Sequence, residues 1–213
     1  MSHSKSIFVG TLTVLYLLIW LWAAWEPVNR FIWFLENILI FVFLIVFILM
    51  HRRFTFSRIS YFFIFVFLTL HTIGAHYSYQ TPIDPWLKQW FTLDRAYYDR
   101  IVHLCFGLLM IIPIRDWLSQ LAAQSKQWLI SYFAVLTLFS ASAFYELIEM
   151  WITYIVAPEQ GTNFIGLQGD PWDTHRDMEL ALYGCLLTLL VYHLIKWINQ
   201  KRATQKNSLR KNV

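Results

Sequence analysis

Charge is scarce in this sequence. Asp, Glu, Lys and Arg make up 14% of its 213 residues, against about 25% in an ordinary soluble domain. Hydrophobic residues reach 58% and aromatics 19%. That balance excludes a water-soluble fold, and it equally excludes a disordered chain, which lacks apolar content. Cysteine is nearly missing: Cys105 and Cys185 both lie in apolar stretches. No secreted disulfide framework is encoded, and burial as small hydrophobes is the expected fate of both thiols. Outside the tail from Lys201 to Lys211 there is no run rich in Lys and Arg, so the footprint of a nucleic-acid-binding protein is missing. A Gly-rich phosphate loop, a nucleophile elbow and a His-Glu-x-x-His helix are lacking too.

What is present is a set of long apolar runs. Six of them, at about 7–25, 31–50, 59–77, 97–114, 128–156 and 178–198, approach or exceed the roughly 20 residues that cross a bilayer as a helix. The chain therefore reads as an all-α, polytopic membrane protein, a single integral membrane domain over 1–213 with a basic tail at 199–213. The first run ends in Trp20-Leu21-Trp22-Ala23-Ala24-Trp25 rather than a small-x-small cleavage site, so it reads as an uncleaved span. With the N-terminus inside, twelve Lys and Arg fall on the inner side and five (Arg30, Lys88, Arg95, Arg100, Arg176) on the outer side. The positive-inside rule then fixes both termini in the cytoplasm. The acids divide the other way: of 13, only Asp116 is on the inner side. Acids hardly influence topology, so their outward bias needs another cause.

Two outer connections exceed a simple turn. In 78–96, Asp84-Pro85 followed by Trp86, Leu87, Trp90 and Phe91 predicts a short interfacial helix with Asp84 as its cap. The second, 157–176, carries Gly161, Gly166, Gly169 and Pro171 and reads as a loop re-entering helix at Asp170-Pro171.

Four polar clusters fall on the outer side. Span three ends with His71 and His76. Span four opens with Asp99, Arg100 and His103, where Asp99 and His103 share a helix face at i, i+4. Span five holds Glu146 and Glu149, one turn apart in an apolar helix. The last loop and span six supply Asp170, Asp173 and Asp177. Ionisable groups in a span face a protein interior or a wet cavity and usually pair, and two carboxylates one turn apart repel unless a proton, a cation or a basic group lies between them. These residues predict a polar pocket walled by spans three to six, with spans one and two packed around it and contributing Glu26 and Glu36. Plainer readings stand beside this one. Asp170 and Asp173 suit a helix cap and its first turn, the histidines suit an interface, Asp99–His103 suits a local pair, and the glutamates suit a lock between helices through Arg100 or Arg176.

The blocks Tyr98-Asp99-Arg100-Ile101-Val102-His103 with Gly107, Tyr145-Glu146-Leu147-Ile148-Glu149, and Gln168-Gly169-Asp170-Pro171-Trp172-Asp173 running to Asp177-Met178 and Gly184 resemble the YjdF family of uncharacterised bacterial inner-membrane proteins. The resemblance covers nearly the whole chain. It implies a multi-pass protein of the bacterial inner membrane and brings no established activity. A looser similarity is to VanZ-like membrane proteins, through Asp99-Arg100-x-x-His103, Glu146-x-x-Glu149 and Arg176-Asp177 to Gly184. The chain departs from that pattern with Arg100 in place of Lys, Glu149 in place of Gln, Ala181 in place of Asn, and two additional leading spans.

The expected function is an envelope-facing enzyme or binding protein for a lipid or envelope-type ligand. Glu146, Glu149, Asp99 and His103 are the expected catalytic group. Arg100 and Arg176 would hold an anionic moiety, with Asp173, Asp177, His71 and His76 as further binding residues. A divalent metal on Glu146, Glu149, His103 and Asp177 is a thinner option, since Glu-x-x-Glu differs from the di-iron Glu-x-x-His signature. A small proton-coupled carrier and a structural protein with a helix-locking network are the alternatives. The bilayer is the one partner the sequence names; oligomeric state is not legible in it.

Overall fold

The computed structural model describes residues 3–90, 96–155 and 170–211. Asp94, Arg95, Glu159 and the glycines of the second outer connection lie outside these. Seven helices are found among the described residues: α1 (His3–Ala24), α2 (Arg30–Arg53), α3 (Arg58–His76), α4 (Asp84–Trp90), α5 (Tyr98–Leu121), α6 (Gln127–Ile155) and α7 (Asp173–Lys211). All but α4 are long and apolar enough to cross a membrane, so the six expected spans are present, several of them longer than their apolar cores.

α5 is the hub, with close contacts to α3, α6 and α7. The α5–α7 seam is the tightest, and small residues make it so. A Cβ on Gly107 would lie 2.0 Å from the carbonyl oxygen of Ala181, and one on Gly184 would lie 2.4 Å from that of Leu104. Such close backbone approach is a common device for joining helices in lipid, where no hydrophobic force drives them together. Thr188 adds a hydrogen bond from its hydroxyl to the Leu108 carbonyl at 2.8 Å. α1 rests on α3, with Tyr16 and Thr72 sharing a hydrogen bond of 3.0 Å. α2 also finds its close packing on α3. The core between these helices is Ile64, Leu68, Met110, Ile111, Ala134, Leu138 and Cys185.

The two ends of the bundle differ in polarity, as the charge count requires. At the inner end Asp116 accepts from the Ser57 N–H at 2.8 Å and the Ser60 hydroxyl at 2.7 Å. Gln120 bonds Thr55, and Arg115 reaches Ser131 and lies over the Tyr192 ring at 4.1 Å. At the outer end α4 begins at Asp84 as predicted, but the carboxylate serves other groups than those of a simple cap. Its Oδ2 accepts from Thr81 N and Oγ1, and its Oδ1 accepts from the N–H groups of Tyr97 at 2.5 Å and Tyr98 at 3.1 Å. Asp84 thus supplies an acceptor at the start of α5, whose N-cap residue Tyr97 makes no side-chain capping bond. α7 begins at Asp173, two residues beyond Pro171, after a turn held by Asp170.

Candidate functional site

The outer end gathers carboxylates from four helices. The first turns of α5 bring Asp99 Oδ1 to 3.6 Å from His103 Nε2, and the same nitrogen lies 3.6 Å from Glu146 Oε1 on α6. α7 contributes Asp177. Ligand atoms of Asp99, His103 and Asp177 all lie within 4.8 Å of one another. Glu149 is buried, with Glu146, Asp99, Asp177 and Glu36 as its acidic neighbours.

A second limb begins at Glu36, 1% exposed on α2. The Tyr145 hydroxyl donates to its Oε2 at 3.2 Å, and His71 Nε2 lies 3.4 Å from the same oxygen. His71 Nδ1 shares a 2.7 Å hydrogen bond with the Tyr79 hydroxyl. Tyr79 reaches this place because the chain leaves α3 through two left-handed residues, Ser78 (φ 49) and Tyr79 (φ 56). Such non-glycine conformations cost about 1–3 kcal/mol each and persist only where their surroundings enforce them. Here the Tyr79 N–H donates to the Gly74 carbonyl at 2.8 Å, and the ring lies where a Cβ on Gly74 would be 2.7 Å away. Burial of the Tyr79 hydroxyl raises its pKa well above the ordinary phenol value, and the nearby carboxylates Glu36, Asp99 and Glu149 push the same way. The Tyr145 ring stands 6.4 Å from the His71 ring and 5.7 Å from that of His103, so the two limbs share it.

The arginines meet an acid of the protein itself. Arg100 Nη2 lies 2.5 Å and Arg176 Nη1 2.9 Å from Asp170 Oδ2, and Arg100 also approaches Asp173 Oδ1 at 3.6 Å. The Trp172 N–H donates to Asp170 Oδ1 at 3.0 Å. That N–H first, and the two guanidiniums after it, hold the Asp170 carboxyl below its ordinary pKa. Asp170 is therefore a junction between α5 and α7 as well as a turn residue.

Of the residues singled out in the sequence, the cluster brings together Asp99, His103, Glu146, Glu149, Asp177 and His71, with Arg100, Asp173 and Arg176 at its edge. His76 stays apart: its Nδ1 bonds the Ala23 carbonyl at 2.9 Å and its ring lies 4.7 Å from that of Trp22, so it joins the end of α1 to the end of α3. Glu26 is exposed, whereas Glu36 lies at the centre. Tyr79 and Tyr145 were not foreseen. For Tyr145 the available signal was its place beside Glu146; Tyr79 gave none, because its position depends on the left-handed turn.

Beside the cluster lies an apolar groove with a volume of about 330 Å³. α3 and α5 form its floor through Phe67, Leu68, Val102 and Phe106; α2 forms one wall through Leu39, Ile40, Val42, Phe43 and Val46, and α6 the other through Ala141, Ser142, Phe144 and Ile148. Val42, Val46 and Phe144 are exposed on the rim, so the groove opens sideways, toward lipid. Its outer end is closed by His71, Tyr79, His103 and Tyr145, the inner faces of the two polar limbs.

Six membrane-length helices enclosing an acid–imidazole cluster at one end define a polytopic helical membrane protein. Residues 8–197 match the family described as Predicted membrane protein (DUF2238), and the chain belongs to that family. It is similar to the inner membrane protein YjdF of Escherichia coli (strain K12), with 27% identity over 188 residues, covering 87% of this chain and 89% of the relative. No solved structure matches it. The protein is accordingly a multi-pass protein of the bacterial inner membrane.

Proposed function

We propose that the protein takes up an amphipathic, lipid-type ligand from the outer half of the membrane, seats its apolar chain in the lateral groove and presents its polar head to the carboxylate–imidazole cluster. The observation that carries this reading is the continuity of the groove with His71, Tyr79, His103 and Tyr145. A volume of this size suits small-ligand binding, with an apolar wall and a few polar groups fixing orientation. Glu146 and Glu149 would be the acid–base pair at the head group, with Asp99 and His103 orienting them and Asp173 and Asp177 lining its approach. Two nearby carboxyls hold one proton more readily than none, which gives an acid and a base in one place. Arg100 and Arg176 enter this reading as a clamp on Asp170, since their charge is already opposed by that residue.

A proton-coupled carrier has less support. Leu68, Met110, Ile111, Leu138 and Cys185 fill the middle of the bundle, and among the described residues no acid, imidazole or amine lies between the outer cluster and Arg115. Native mass spectrometry of the protein released from mild detergent tests the proposal. A lipid-mass adduct is expected on the wild type and should be lost in Ala141→Trp, which fills the groove from α6. Equal adducts in both, or none in the wild type, would refute it.

A further inference from the structure

We infer that the outer cluster is a binding site for a divalent transition-metal ion, with Asp99 and His103 of α5, Glu146 of α6 and Asp177 of α7 as its ligands. Three of these already present ligand atoms within 4.8 Å of one another. The fourth supplies the independent sign. Glu146 is 6% exposed, and its Oε1 is shut off from solvent without a hydrogen-bond partner, 3.6 Å from His103 Nε2. An unbonded carboxylate oxygen in a membrane interior is unfavourable, and a cation beside it removes the penalty.

Geometry and charge agree with this assignment. Metal–ligand bonds of about 2.0–2.1 Å in a tetrahedron place neighbouring ligand atoms about 3.3–3.4 Å apart. The His103–Asp99 and His103–Glu146 separations are both 3.6 Å, close to that figure; the carboxylates of Asp177 and Glu146 close the remaining distances by side-chain rotation when the ion binds. The site is dense in carboxyl groups: Glu149 lies beside Glu146, Asp99, Asp177 and Glu36, while the guanidiniums of Arg100 and Arg176 are turned to Asp170. An imidazole among carboxylates favours zinc, manganese or iron over magnesium or calcium, which prefer oxygen alone. The i, i+4 spacing of Asp99 and His103 supplies two ligands from one helix, and the seam at Gly107 and Gly184 holds α7 close enough to α5 for Asp177 to join them. The outer limb of Glu36, His71 and Tyr79 is a separate hydrogen-bonded set.

This rests on the proposed function only in placing the ion where the head group would arrive; with the ion bound, Glu146 is a ligand and Glu149 is the acid–base group that remains. The binding itself is measured without lipid, so either reading can fail alone. The test uses the full-length protein in detergent, stripped with a chelator and titrated with Zn²⁺ and Mn²⁺, with bound metal read by elemental analysis and unfolding temperature followed in parallel. One equivalent per chain is expected, with a rise in unfolding temperature that millimolar Mg²⁺ does not reproduce. His103→Ala and Asp177→Asn should each weaken binding by more than about 100-fold, beyond the 10–100-fold of an outer-shell change. Glu26→Gln, exposed and outside the cluster, should retain the full equivalent. Failure of the stripped wild type to take up an equivalent overturns the inference whether or not the variants fold. So does unchanged affinity in His103→Ala and Asp177→Asn.

Discussion

The two ends of the bundle use buried polar groups in opposite ways. At the inner end each named group has a partner of its own: Asp116 takes two donors from the start of α3, Gln120 ties down Thr55, and Arg115 is met by Ser131 and the face of Tyr192. Those bonds join helix ends, and among the described residues no buried side-chain donor or acceptor at that end lacks a partner. At the outer end Glu36, Asp99, Glu146, Glu149 and Asp177 share a small volume with two imidazoles, while both guanidiniums are turned to Asp170. Asp84 is the exception there, a carboxylate with four donors and a purely architectural task. The difference teaches that burial alone does not mark a functional acid. An acid surrounded by donors builds the fold; an acid surrounded by other acids awaits a proton, a cation or a ligand.

The largest test of this contrast is Gly107→Ala. Its Cβ would lie 2.0 Å from the Ala181 carbonyl oxygen, so α5 and α7 must separate. We expect a loss of about 3 kcal/mol or more, seen as poor recovery of monodisperse protein and early unfolding in detergent. A smaller effect should come from the donor-rich acids. Asp84→Ala leaves two N–H groups of α5 unpaired together with the donors of Thr81, and Asp116→Ala frees Ser57 and Ser60. Losses of about 3 and about 2 kcal/mol follow from a net contribution of about 0.5–1.5 kcal/mol per hydrogen bond, with four bonds lost in the first variant and two in the second, and both would appear in thermal unfolding. The contrast sharpens with Glu146→Gln and Glu149→Gln, which remove an ionisable group from the crowded end. Their unfolding temperatures should equal or exceed the wild type, with any change within about 0.5 kcal/mol, while ligand or metal binding falls. A large loss of stability in these variants would break the distinction and favour a helix-locking network.

The smallest expected effect is that of pH on Asp170. Its folded pKa is depressed, so the stability it gives is fully present above the ordinary carboxyl range and disappears as pH falls through the folded value. Wild type and Asp170→Asn should therefore differ at neutral pH, begin to converge below about pH 4, where an unperturbed Asp titrates, and meet only below the depressed folded pKa. Unfolding temperatures measured from neutral to acid pH decide it.

The six spans and the outward bias of the acids were legible because membrane insertion depends on local apolar length and on counts of charge. Asp99–His103 and Glu146–Glu149 were legible because helical spacing fixes which side chains share a face. The position of Asp84 was not: Asp-Pro signals a helix start, yet the carboxylate reaches across 13 residues to Tyr97. Tyr79 depends on two left-handed residues that are not glycine, and no local pattern marks them. The pairing of Asp170 with both arginines rests on how α5 and α7 seat together. The groove depends on α2 resting on α3 and leaving a gap beside α6, and the apolar runs of α2 and α6 carry no trace of that angle.

That sideways gap has a consequence for how any occupant is supplied. A molecule entering between α2 and α6 travels within the plane of the membrane and need not pass through water, so occupancy depends on its mole fraction among the surrounding lipids. Diluting the vesicles would leave it unchanged, whereas diluting the bilayer with inert lipid would lower it.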